Sequence, residues 1–212
     1  MTIQNLLERV TSLAASPGGR TVIGVTGAPG AGKTTLVEAL IRELNADTPV
    51  PEHQRYAHVP MDGFHLSDAE LTRLALLGRK GAPETFDVYG YAAMLARLRT
   101  DREHVVYAPG FERRLEQPIA GVVPVFPGVE TVLTEGNYLL LDQPGWHLVQ
   151  EQCTEIWYCD QDDAVRIQRL TERHVRFGKT PAAAAAWVRD VDERNAGLIR
   201  ATKDRADLII YC

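Results

Sequence analysis

Gly27-Ala28-Pro29-Gly30-Ala31-Gly32-Lys33-Thr34 stands between a β-type run, Thr21-Val22-Ile23-Gly24-Val25-Thr26, and a stretch with helical spacing, Thr34-Thr35-Leu36-Val37-Glu38-Ala39-Leu40-Ile41. Strand, glycine-rich loop and helix therefore follow in the order that a phosphate-binding loop requires, and all eight loop positions match G-x-x-x-x-G-K-[ST]. The glycines let the backbone curl until several N–H groups face anionic oxygens, and the helix behind adds roughly half a positive charge at its N-terminus. Gly27, Ala28, Gly30, Ala31, Gly32, Lys33, Thr34 and Thr35 form the candidate nucleotide-binding set. Lys33 is expected to reach the β- and γ-phosphates, the Thr34 hydroxyl to ligate magnesium and Thr35 to add a phosphate contact. A bare glycine-rich turn would not need these flanks.

Nothing in the rest of the chain divides it. Its 212 residues carry no Ser/Gly-rich linker, low-complexity tract or internal repeat, so a single domain spanning 1–212 is expected. Cys153, Cys159 and Cys212 are odd in number and lack C-x-x-C spacing, which predicts reduced, packed thiols of a cytoplasmic protein. Thr2–Ala15 is amphipathic, with Ile3, Leu6, Leu7, Val10 and Leu13 on one side and no signal-peptide pattern, so export is not expected. No stretch approaches the ~20 consecutive apolar residues of a membrane span. The net charge of −5 argues against a nucleic-acid-binding surface, which needs clustered Lys and Arg. A homodimer is the default among soluble oligomers, although no symmetric patch identifies one here.

Further along, Tyr56–Met61 reads as a second strand, leading into Asp62-Gly63-Phe64-His65. Ser67 is placed to cap a helix whose apolar series runs Leu71, Leu74, Ala75 and Leu77, with Gly78 as its stop. Residues 79–91 read as loop and Tyr91–Leu98 as helix. The Pro- and Gly-rich Ala108–Gly128 reads as a long loop that helps form an acceptor site. Glu130–Glu135 is a buried strand with an acidic tip, Glu155–Cys159 another strand, Asp162–Arg176 a basic helix, the segment from Pro181 an alanine-rich helix and Asp207–Tyr211 a closing strand. This alternation predicts an α/β fold with a mainly parallel sheet covered on both faces and a ligand beyond the C-terminal strand ends.

Three features point towards phosphoryl transfer to a hydroxyl. Asp62, at a strand end neighbouring the loop, is suited to take a proton from an attacking hydroxyl, although Asp-Gly is also a common turn. Glu135, at the tip of an apolar strand, occupies the place of a magnesium-ordering acid; the alternative is a surface carboxylate. Arg166, Arg169, Arg173 and Arg176 recur at spacings of three and four, so their guanidinium groups share a helix face that an anion would neutralise. A solvated basic face is the plainer reading. Thr180-Pro181 then starts a new helix, as a two-helix lid over about 162–185 would require.

Taken together, the motifs resemble the P-loop kinases grouped with uridine kinase, phosphoribulokinase and bacterial pantothenate kinase. The likeness rests on Gly27 to Thr35, Met61-Asp62-Gly63-Phe64-His65, Pro83-Glu84-Thr85-Phe86-Asp87, Leu133-Thr134-Glu135-Gly136-Asn137-Tyr138 and Arg169-Leu170-Thr171-Glu172-Arg173-His174. It is greatest to a bacterial nucleoside/nucleotide kinase-like subgroup, some of whose members are named for fructose transport. The resemblance implies a three-layer α/β/α P-loop fold with a five-stranded sheet and a small helical lid. It also implies ATP and Mg²⁺, with Asp62 as catalytic base, Glu135 near the metal, and Arg169 and Arg173 over the triphosphate beside Lys33. Candidates to line the pocket for a small hydroxyl acceptor are His65, Phe86, Tyr89, Arg113 and Asn137, while His174 is expected on the helix surface. A sugar or sugar-like acceptor is the first expectation, a nucleoside the second and pantothenate the third. A nucleotide-dependent switch is the rival from another class: Asp87-Val88-Tyr89-Gly90 fits the loose D-x-x-G pattern, but follows no apolar strand, and N-K-x-D is absent from the sequence.

Overall fold

The computed structural model describes residues 2–14 and 19–212. In chain order the elements are α1 (Ile3–Ala14), β1 (Thr21–Thr26), α2 (Lys33–Leu44), β2 (Tyr56–Pro60), α3 (Asp68–Arg73), α4 (Val88–Thr100), β3 (Val106–Glu112) and β4 (Gln117–Val125). There follow β5 (Thr131–Glu135), α5 (Trp146–Gln152), β6 (Glu155–Asp160), α6 (Asp163–Arg176), α7 (Pro181–Trp187), α8 (Glu193–Arg200) and β7 (Leu208–Tyr211). The amphipathic N-terminal segment forms α1, with Leu6 and Val10 buried; Ala15, its expected last residue, lies outside the described residues. Among the described residues, no helix is long and apolar enough to cross a membrane.

Five parallel strands form one sheet in the order β2-β5-β1-β6-β7. Every residue of β1 and β5 is buried, as expected for central strands covered on both faces. Side-chain alternation divides the core. Val22 and Val132, paired in register, pack with Leu95, Leu98 and Val149 of α4 and α5, while their successors Ile23 and Leu133 pack with Leu6, Val10, Val37 and Leu40 of α1 and α2. The result is the expected three-layer α/β/α arrangement. One neighbour differs from expectation: β5 lies between β1 and β2, so Asp62 follows a strand one removed from the phosphate loop.

The stretch expected as a long loop is instead an antiparallel ribbon of β3 and β4, with a register shift between Ala108 and Gly110. Pro109, Pro118 and Pro124 obscured it, since proline cannot donate to a ladder; in a two-stranded ribbon, however, each strand keeps a free edge where prolines are tolerated. Helix α3 stops at Arg73, short of Leu77. Ala75 takes φ 57°, and the N–H groups of Ala75 and Leu76 donate to the carbonyls of Thr72 and Leu71, which closes the helix before Gly78 is reached.

Cys159 and Cys212, expected as reduced thiols, form a disulfide with Cα atoms 6.1 Å apart. The parallel pairing of β6 with β7 sets Cys159 beside Ile210, bringing the distant Cys212 within reach. Cys153 is free, and burial pushes its thiol up to about 12.

Candidate active site

Parallel register delivers the chemistry to one sheet edge. Glu135, the last residue of β5, is level with Val25 of β1 and Pro60 of β2. The phosphate loop leaving β1 and the Met61–Phe64 turn leaving β2 therefore emerge beside its carboxylate. A Cβ on Gly136 would lie 2.5 Å from Met61, so the close approach of the β5 and β2 ends excludes a side chain there.

The loop wraps tightly. Gly27 adopts φ 148°, where an added Cβ would meet the Cys159 carbonyl oxygen at 2.4 Å, and Gly32 adopts φ 92° immediately before α2. Lys33, at the start of α2, is buried; its Nζ donates to the carbonyls of Gly27 at 2.8 Å and Ala28 at 3.1 Å and to Asn137 Oδ1 at 2.8 Å. Burial lowers its pKa, only partly offset by the charges of Glu135 and Asp62. Thr34 Oγ1 donates to Glu135 Oε1 at 3.1 Å. Burial and the nearby charge of Asp62 raise the pKa of Glu135, so this carboxylate is poised to gain from a cation.

Asp62 faces the same space. Arg113 Nη2, carried on the β3–β4 turn, lies 3.1 Å from its Oδ2, and His65 Nδ1 lies 2.9 Å from its carbonyl oxygen. Burial opposes ionisation of Asp62, but the charges of His65, Arg113, Lys33 and Arg173 outweigh it and hold the carboxyl below its ordinary value. The ribbon presses on this turn, since a Cβ on Gly63 would come within 2.3 Å of the Pro109 carbonyl oxygen.

The four arginines of α6 separate by role. Arg166 is fully buried and joins Asp163, Glu193 and the Pro29 carbonyl, bracing the helix against the phosphate loop and α8. Arg169 and Arg173 face the cavity, and neither makes an ion pair among the described residues. Arg176 is exposed.

One cavity of about 1300 Å³ takes in Lys33, Thr34, Asp62, Glu135, Arg169 and Arg173. His65, Phe86, Arg113 and Asn137 also line it, whereas Tyr89 does not. Tyr89 is 60% exposed on the first turn of α4, beside Gly145, and is withdrawn as a pocket residue. Phe86 is mainly core, packed on His65, Tyr138 and Trp146. His174 also departs from expectation: it lines the cavity, with Nε2 2.8 Å from Asp192 at the end of a π-helical turn. Lys80, Phe111, Asp192 and Asn195 line the cavity without having been singled out in the sequence. Lys80 sits in an irregular segment and Asp192 and Asn195 depend on the π-helical turn, so local patterning gives no signal for them.

The residues fit a magnesium–nucleotide. Backbone turns with positive φ, a lysine now held only by oxygens, and a hydroxyl–carboxylate pair with raised carboxyl pKa are the groups such a ligand would engage. Among the described residues, no group of three or more His, Cys, Asp or Glu is arranged to hold a metal. That agrees with magnesium sites, which take one or two protein oxygens and complete their shell with phosphate and water.

A protein from Schizosaccharomyces pombe named "Putative uridine kinase C227.14" is 32% identical to this chain over 171 residues, covering 75% of the chain and 68% of that protein. This chain belongs to the P-loop kinases grouped with uridine kinase, enzymes that transfer phosphate to hydroxyl groups. An Aspergillus versicolor protein, "ATP-dependent kinase-like protein notR'", is 34% identical over 133 residues, covering 59% of the chain and 77% of its own length. The crystal structure of a "putative fructose transport system kinase" from Silicibacter sp. TM1040 superposes with a TM-score of 0.85 at 36% identity, covering 99% of each chain. Residues 2–49 also match a family model described as methylmalonyl Co-A mutase-associated GTPase MeaB, a match confined to the phosphate loop and its flanks.

Proposed function

We propose that this kinase is cytoplasmic and transfers the γ-phosphate of ATP, with Mg²⁺, to a hydroxyl of a sugar or sugar-like metabolite. We read it as one domain whose segment 162–185 acts as a lid. The observation that carries the transfer reaction is the shared cavity in which Asp62 faces Lys33, Glu135, Arg169 and Arg173. The sugar-like acceptor is supported by the ring surfaces of Phe86, His65 and Phe111, with the His65 centroid 4.0 Å from Phe86 and 4.9 Å from Phe111, and by the name of the Silicibacter neighbour.

In this reading Asp62 takes the proton of the acceptor hydroxyl as that oxygen attacks in line. Lys33, Arg169 and Arg173 hold the negative charge of the transferring group, and Asn137 keeps Lys33 aimed before nucleotide arrives. Magnesium, held by Thr34 and Glu135, would neutralise charge on the β- and γ-phosphates. The loop N–H groups of Gly30 to Thr35 bind and orient the triphosphate. Enclosure by α6 and α7 excludes water, which would otherwise compete with the acceptor.

A nucleoside acceptor is the second reading, favoured by the uridine kinase-like relative. A nucleotide switch is disfavoured because the D-x-x-G segment serves as a helix start: Asp87 caps α4, its Oδ1 accepting from the Gly90 amide at 2.8 Å. The test is ADP release with Mg²⁺ and ATP across sugars, sugar alcohols, nucleosides and pantothenate. The expected outcome is an acceptor-dependent rate with a sugar or sugar alcohol, reduced at least ~10²-fold in Asp62→Asn with nucleotide binding nearly intact. A rate with nucleosides alone would select the second reading, and tight nucleotide binding with a flat panel would sink the sugar-like reading.

A further inference from the structure

Three buried side-chain polar atoms have no hydrogen-bond partner among the described residues: Asn45 Oδ1, Thr131 Oγ1 and His58 Nε2. Two of them lie away from the site. Thr131 pairs in register with Tyr56, at the end of β5 opposite Glu135, and the Asn45 side chain donates to the Tyr56 carbonyl. His58 Nε2 instead lies 3.8 Å from Glu135 Oε1, the same oxygen that accepts from Thr34. A buried polar atom left without a partner is costly, and this one stands beside the carboxylate assigned to magnesium.

The strands explain how it comes to be there. Parallel register sets His58 beside Leu133 and Pro60 beside Glu135, and alternation turns Tyr56 and His58 to the same sheet face as Leu133 and Glu135. Tyr56 and Leu133 pack there with Val37 and Leu40 of α2, so an apolar side chain at 58 would serve this core without a desolvation cost. The His58 side chain keeps 19% of its surface exposed, yet Nε2 is not part of that surface. Burial lowers the pKa of His58 to about 4, opposed by the charge of Asp62, so near pH 7 the ring is neutral and has a single N–H to place. A separation of 3.8 Å is too long for a hydrogen bond and too short to hold a bridging water. A movement of about 1 Å in the carboxylate or the ring closes it. An ionised carboxylate offers about four acceptor sites, so Glu135 can serve Thr34, a cation and His58 together.

Resting on the magnesium reading of Thr34 and Glu135, we propose that His58 is a positioning residue of the metal site: with Mg²⁺–nucleotide bound, its Nε2–H donates to Glu135 Oε1 and, with Thr34, fixes the direction of that carboxylate. His58 does not line the cavity, so its effect on the cation passes through Glu135.

The test is binding of the non-hydrolysable ATP analogue AMP-PNP to the full chain, measured by calorimetry in EDTA and across a Mg²⁺ titration. His58→Leu is expected to raise the Mg²⁺ concentration needed for half-maximal tightening about tenfold or more, with affinity in EDTA unchanged. His58→Gln, whose amide nitrogen stands near the place of Nε2, should restore most of it. A residue that only fills space would not separate the two conditions: an unchanged Mg²⁺ requirement in His58→Leu, or an equal loss in EDTA, overturns the proposal. In a Glu135→Gln background His58→Leu should add nothing, and a full further loss there would overturn action through Glu135. Glu135→Gln with a wild-type Mg²⁺ requirement would overturn the magnesium reading and this proposal with it, whereas a loss in Glu135→Gln beside an unchanged His58→Leu overturns the role of His58 alone. If His58→Leu does not fold, ¹⁵N NMR of the histidine-labelled wild-type chain supplies the readout. One imidazole signal, identified by its loss in His58→Gln, should take on the character of a hydrogen-bonded Nε2–H with Mg²⁺–AMP-PNP and not in EDTA; identical signals in both conditions would overturn the proposal.

Discussion

At the phosphate-loop end of the cavity, Lys33 is buried and donates to three oxygens, whereas at the acceptor end the Arg113 side chain is 38% exposed and holds a single ion pair with Asp62. The first region is built from the ends of fully buried strands and is set before any ligand arrives. The second is built from a two-stranded ribbon, short turns and helices α6 and α7, and among the described residues its cations Arg113, Arg169 and Arg173 hold one ion pair or none, which leaves them open to exchange. Fixed groups suit the invariant part of a kinase reaction, the triphosphate. Exchangeable ones suit the part that must recognise and enclose a particular acceptor.

Lys33→Ala is the severest test of the rigid end. It removes a charge aimed at the phosphates and leaves Asn137 Oδ1 and two carbonyls without their donor, so kcat/KM is expected to fall by about 10³-fold, with weaker nucleotide binding contributing. Nucleotide titration and steady-state ADP release check both parts; normal affinity with normal rate would break the comparison. On the exchangeable side, Arg173→Ala is expected to lower the maximal rate about 10-fold to 10²-fold, since Arg169 remains to share the charge. A wild-type rate at saturating ATP and acceptor would show that Arg173 makes no special contact in the transition state.

The same contrast explains what could be read from residues alone. The rigid end was legible because its parts are contiguous: strand, loop and helix around Lys33, and short apolar runs ending at Asp62 and Glu135. The exchangeable end was not. Three prolines hid the ribbon, Lys80 lies in an irregular turn, and Asp192 and Asn195 reach the cavity through a π-helical turn with no sequence signature. Spacing placed four arginines on one helix face, yet only packing against Asp163, Glu193 and Pro29 separates the structural Arg166 from Arg169 and Arg173. The Cys159–Cys212 pair depended on β7 lying beside β6, a register that cysteine spacing does not encode.

The smallest expected effect concerns stability and bears on the cost of preparing the rigid end. The pKa of Glu135 is raised from 4.5 in the fold, chiefly by burial, so the folded state prefers its protonated form. The stability linked to this group is fully present below its ordinary value and is lost as pH rises towards the folded one. Glu135→Gln keeps the shape without the charge, so between about pH 5 and 8 the ligand-free variant should gain Tm relative to wild type. The expected gain is about 2–4 °C for each kcal/mol recovered in a chain of this size. His58 and His65, whose pKa values burial lowers, contribute with the opposite sign, gaining stability as pH rises. The His65 effect is common to both proteins and cancels when the two profiles are subtracted, whereas His58, whose Nε2 lies 3.8 Å from Glu135 Oε1, responds to the substitution itself and is controlled by repeating the comparison in a His58→Gln background. Mg²⁺ with ATP should reverse the order, since only the wild-type carboxylate gains from the cation. Parallel melting profiles without ligand would mean that the carboxylate carries no burial cost, and the rigid end would then owe its readiness to the loop and Lys33 alone.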